Sequence, residues 1–100
     1  MALTDAQREA IYRLRRRRPN ADGLFKHLAG LQRNMRETSV STVEDASGLN
    51  RPLALELMRE IAQAGVASVR GGGGGQESYL AWADGVDSRE VGTDTDTPLR

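Results

Sequence analysis

Gly48-Leu49-Asn50-Arg51-Pro52 interrupts two stretches that otherwise read as helix. Gly48 can take the positive φ that ends one helix, and Asn50 can cap the next. Pro52 fits a first turn, where a backbone donor has no intrahelical acceptor. Downstream, Ala54, Leu57, Met58 and Ile61 fall at i, i+3, i+4 and i+7, which predicts a helix over 51–64 with Gly65-Val66 as a left-handed stop. Upstream, Ser41 with Glu44 reads as a capping box for a short helix over 42–47. Three residues then separate the two helices, the spacing of a helix-turn-helix pair.

Further toward the N-terminus, Thr38 and Val40 among polar neighbours suit one short strand over 37–41. Leu24, Phe25, Leu28, Leu31 and Met35 mark the apolar stripe of a helix over 23–34, which follows the breaker cluster Pro19, Asn20, Asp22 and Gly23. Thr4 with Gln7 is a capping box opening a first helix over 5–18. That helix carries only a thin apolar face, Leu3, Ala10, Ile11 and Leu14, and so must pack on the domain or on a second copy. Toward the C-terminus, Val66 to Arg70 and Glu77 to Trp82 flank five glycines, Gly71 to Gly75, and predict a hairpin with a loose tip. Residues 84–100 show no apolar period and read as a disordered acidic tail.

The 100 residues suffice for one small core, and with one Trp, two Tyr and one Phe that core must be aliphatic. The absence of cysteine excludes disulfides, thiolate zinc sites and a cysteine nucleophile. No stretch is long or apolar enough for a membrane span or a secretory leader, so a cytoplasmic chain is expected. A net charge of zero conceals an asymmetry: residues 1–70 carry 12 Arg and Lys against 8 Asp and Glu, net +4, while residues 71–100 carry 2 against 6, net −4.

Arg13, Arg15, Arg16, Arg17 and Arg18 form the densest charge in the chain. A helix C-terminus attracts cations through its dipole, but five arginines in six positions exceed that need and suit phosphates or an acidic partner. The glycine tract lacks the Lys-Ser/Thr sequel of a phosphate loop and opens a strand rather than a helix, so it reads as a flexible tip. His27 is the only histidine and has no partner ligand at metal-binding spacing. No acid/base pair, nucleophile motif or cofactor fingerprint is visible, so neither an enzyme nor a cofactor is expected.

Over roughly Asp22 to Trp82, the element order of helix, short strand, helix, turn, helix and glycine-tipped hairpin resembles the winged helix-turn-helix superfamily. Ala46 stands where that superfamily places a small residue, Gly48-Leu49-Asn50-Arg51 matches its turn, and Ala64-Gly65-Val66 leads into its wing. Phe25 to Leu28, the Arg33-Asn34 pair and Tyr79 to Trp82 are similar to features of small bacterial winged-helix proteins. The resemblance implies a mainly α fold with a small β-hairpin and an extra N-terminal helix. It divides the chain into an arginine-rich helix and turn over 1–21, the winged domain over 22–83 and the tail.

The resemblance further implies double-stranded DNA as partner, a homodimer, and a role as transcriptional regulator or architectural binder. It puts Asn50, Arg51, Leu53, Leu55, Glu56 and Arg59 on the groove-facing helix and Arg70 on the wing; with the charge cluster, the expected DNA contacts are Arg13, Arg15, Arg16, Arg17, Arg18, Asn50, Arg51, Leu55, Arg59 and Arg70. Leu53 and Leu55 depart from the polar readers expected there, and Glu56 and Glu60 offset Arg51 and Arg59. An exposed Leu53–Leu55 ridge would instead describe a protein-interaction adaptor that keeps the fold without binding DNA.

Overall fold

The structure, a computed structural model, describes residues 3–31 and 35–98. Within them the helices are α1 (Asp5–Arg17), α2 (Asp22–Ala29), α3 (Val40–Ser47), α4 (Arg51–Gln63) and α5 (Ser88–Asp94). The strands are β1 (Glu37–Ser39), β2 (Ala67–Arg70) and β3 (Tyr79–Trp82), and a 3-10 turn, Pro19–Ala21, links α1 to α2. The chain is thus mainly helical with a small antiparallel sheet, in the order β1-β3-β2.

Local chemistry explains most helix boundaries. Thr4 Oγ1 accepts from the Gln7 amide at 3.1 Å while Gln7 Oε1 accepts from the Thr4 amide at 3.0 Å, so two orphan donors of α1 are satisfied reciprocally. Gly48 closes α3 at φ +73°, and Asn50 Oδ1 caps α4 by accepting from the Leu53 amide at 3.2 Å. One cap lies elsewhere than expected. Ser39, rather than Ser41, caps α3 by accepting from the Thr42 amide at 3.2 Å, so the helix starts two residues earlier. Helix α2 ends at Ala29, short of the expected boundary, and residues 32–34 lie outside the described residues, Arg33 among them.

The hairpin forms across the glycine tract with Ala67 opposite Trp82 and Arg70 opposite Tyr79. Strand β1 adds to the other edge of β3, pairing Thr38 with Leu80. Trp82 donates from Nε1 to Thr38 Oγ1 at 3.0 Å, which gives the buried indole N–H a partner and ties the first strand to the last.

Leu80, Trp82 and Val66 from the sheet region join Leu24, Phe25, Leu28, Val40, Val43, Ala54, Leu57, Met58 and Ile61 in a single core. Leu3, Ile11 and Leu14 of the N-terminal segment belong to the same core. The apolar face of α1 is therefore spent on its own domain, which leaves those side chains unavailable to a second copy.

The acidic tail expected to be disordered is folded in part. Asp87 caps α5 by accepting from the Arg89 amide at 2.9 Å, and Val91 is buried in the core. Gly92 lies against the backbone of α2: a Cβ there would overlap the Phe25 carbonyl oxygen and lie 2.5 Å from the Ala29 nitrogen. The segments expected as arm, domain and tail share one core, and no helix among the described residues is long and apolar enough to cross a membrane.

Candidate nucleic-acid interface

Helix α4 advances about 100° per residue, so its buried side chains define its opposite face. Ala54, Leu57, Met58 and Ile61 face the core, and the ridge diametrically outward is Pro52, Glu56, Arg59 and Gln63, all exposed. Neither leucine lies on this ridge. Leu55 is half-buried and packs against the core, off the outward ridge. Leu53 is 41% exposed but sits on the flank facing α1, where it lines a cavity of about 250 Å³ with Leu49, Arg17, Arg18, Pro19 and Ala21.

The arginine cluster does not act as a unit. Arg15 is buried, with its side chain 6% exposed, and its guanidinium lies 4.9 Å from the Phe25 ring centroid. It donates to the Gly92 carbonyl at 3.0 Å and pairs with Asp22 at 2.6 Å and Asp96 at 3.0 Å. Buried and engaged in this way, Arg15 joins helices of the fold and is not presented on the surface with its neighbours.

The other four cluster arginines lie outside the core with different partners. Arg18 spans Glu56 and Glu60, each at 2.5 Å, and Arg17 reaches Glu60 at 3.5 Å. Arg13 pairs with Glu9 at 2.9 Å, one turn back. Arg16 is exposed and lies 5.8 Å from the centroid of the Tyr12 ring.

At the start of α4, Arg51 donates twice to Glu44 Oε1, at 3.0 and 2.7 Å, and its Nη2 is 4.0 Å from Glu77. Arg59 forms no ion pair among the described residues and points to solvent from the middle of the ridge. Arg70, at the end of β2, is exposed and donates to Ser68 Oγ at 3.3 Å. Asn50 spends its side-chain oxygen on capping, which leaves its amide NH2 free to donate.

Carboxylates accompany the cations around α4: Glu44 and Glu77 stand by Arg51, and Glu56 and Glu60 by Arg18. Sequence reasoning did not single out Glu77. Its carboxylate accepts from both the amide and the hydroxyl of Ser41, at the start of α3, with the amide contact at 3.0 Å. The Ser41 hydroxyl, the Ser41 amide and the nearby Arg51 together hold the Glu77 carboxyl below its ordinary pKa. A separation of 36 residues puts this contact beyond any local motif.

Comparison of the chain with family models, curated proteins and solved structures finds no match.

Proposed function

We propose that this chain is a winged helix-turn-helix domain that binds duplex DNA in the cytoplasm, as a regulator or architectural protein, with α4 in the major groove and the β2–β3 hairpin over the neighbouring backbone. The observation that supports it best is the α4 ridge. Pro52, Glu56, Arg59 and Gln63 project outward without a large apolar side chain, while both leucines that would spoil a reading surface turn off it. A helix about 10–12 Å across fits a groove about 12 Å wide. Arg59 and Gln63 match guanine and adenine edges, and Glu56 matches the amino group of cytosine. Arg16, Arg51 and Arg70 supply phosphate contacts.

The interleaved carboxylates set the character of the binding. Non-specific affinity is low, because a phosphate at Arg51 must compete with Glu44 and Glu77, already in place. Three phosphate contacts correspond to a slope of log K against log salt of about −3. The test is selection from randomised duplexes followed by fluorescence anisotropy over a salt series. Enrichment of a motif, with that slope, supports the reading; no enrichment and no binding at low salt reject it.

Leu53 favours a second reading, a protein-interaction adaptor. Its exposed side chain and the cavity beside it form an apolar patch rimmed by Arg17 and Arg18. With Leu55 packed on the core, Leu53→Asp is the substitution that removes this surface without touching the α4 ridge.

A further inference from the structure

The contact between Glu77 and the helix pair has a geometry that an oxyanion would share. One carboxylate oxygen receives the Ser41 amide at 3.0 Å and the Ser41 hydroxyl, while the Arg51 guanidinium stands 4.0 Å away. A first-turn amide, a hydroxyl and a guanidinium converging on one point are the groups that hold a DNA phosphate. They lie where the starts of α3 and α4 meet the hairpin loop.

We propose that Glu77 is an autoinhibitory latch, a carboxylate that the hairpin places where a backbone phosphate would bind, so that DNA must displace it. The inference rests on the DNA-binding reading above and specifies how that site is regulated. The exchange is balanced in charge, since a phosphodiester and a carboxylate each carry one negative charge. It is also mechanically simple. The neighbouring backbone is tied down, because the Val40 amide donates to the Ser78 carbonyl at 2.9 Å. Release therefore requires only that the exposed Glu77 side chain rotate away, with no loss of a strand. Glu44, the other partner of Arg51, is carried on α3 itself and stays with the helix pair as the latch opens.

The experiment compares full-length wild type, Glu77→Gln, Glu77→Ala and Asp84→Asn for binding to a mixed-sequence duplex across a salt series, with thermal melts of each. Asp84 is exposed and outside the latch, so Asp84→Asn reports the effect of removing one negative charge anywhere. Both Glu77 variants should bind roughly three- to tenfold more tightly than wild type at low salt, the effect of freeing one exposed charged hydrogen-bond set. Asp84→Asn should change affinity much less. Equal binding by wild type and the Glu77 variants overturns the latch and leaves DNA binding standing, as does an equal gain from Asp84→Asn. Failure of all four proteins to bind at low salt overturns the DNA-binding reading and the latch together.

Discussion

The guanidinium of Arg15 donates to the carbonyl of Gly92 at 3.0 Å, joining the first helix to the last across 77 residues of sequence. The same side chain reaches Asp22 and Asp96 and lies over Phe25, so α1, α2 and the segment after α5 meet at one buried cation. Arg15→Ala would leave the Gly92 carbonyl without this donor and Asp96 without its ion pair, with Asp22 keeping only Lys26. Breaking a buried pair costs about 3–5 kcal/mol, and the solvent access of both carboxylates reduces this to roughly 2 kcal/mol. A loss of about 10 °C in Tm, read by circular dichroism, is expected for a domain of this size. An unchanged Tm would show that Arg15 is not structural.

Gly92 makes a second, independent test of the same corner. Its missing Cβ lets α5 lie on the α2 backbone at Phe25 and Ala29, and any side chain must push the two helices apart. Gly92→Ala normally raises helix propensity by about 1 kcal/mol. Here the sign reverses, because the clash is with backbone that cannot rotate away. A lower Tm for Gly92→Ala, with a matching loss on truncation before Asp87, would show that the C-terminal helix is part of the cooperative unit.

The Asp22 carboxyl titrates below its ordinary value, chiefly through its hydrogen bond to Arg15 and next through Lys26. A carboxyl whose folded pKa is depressed contributes stability above its unfolded pKa, about 3.9, and loses that contribution as pH falls through the lower folded value. Asp22→Asn should therefore melt below wild type at neutral pH, with the gap closing only under acid conditions below about pH 4. The gap is modest, since the Asp22 side chain is 39% exposed and screened by solvent. Melts of both proteins across pH, with a gap that stays constant into strong acid, would contradict the assignment.

What could be read from the sequence follows the range of the interactions. Thr4 with Gln7, Gly48 and Asn50 act within one helical turn, so their residue types alone announce the helix ends. The Ser39 cap was obscured because Ser41 three residues before Glu44 offers an equally good local pattern; Glu77, arriving from the hairpin, takes up Ser41 instead. Helix α5 hides for another reason. It docks through Gly92 and Val91, not through a repeating apolar stripe, and its place depends on Arg15 far away in sequence. Charge is visible in a sequence and burial is not, which is why Arg15 looked like its neighbours Arg16 and Arg17.

The pair Arg59→Ala and Leu53→Asp separates the two functional readings, because the side chains leave α4 on different faces. Arg59 stands in the middle of the outward ridge without an ion pair among the described residues, so its removal disturbs no carboxylate and exposes no core. On the DNA reading, a base contact of this kind is worth about 1–3 kcal/mol, so Arg59→Ala should weaken binding to a selected site by roughly fivefold to a hundredfold. Binding to a mixed duplex should weaken far less. Leu53→Asp adds a negative charge on the flank beside Arg17 and Arg18, and it should leave discrimination between selected and mixed duplexes nearly intact. On the adaptor reading the order inverts, with Leu53→Asp abolishing partner capture and Arg59→Ala having little effect. Both positions are exposed, so Tm should stay within a few degrees of wild type, which keeps a loss of function from being a loss of fold. Equal discrimination by Arg59→Ala and wild type would remove α4 from the major groove.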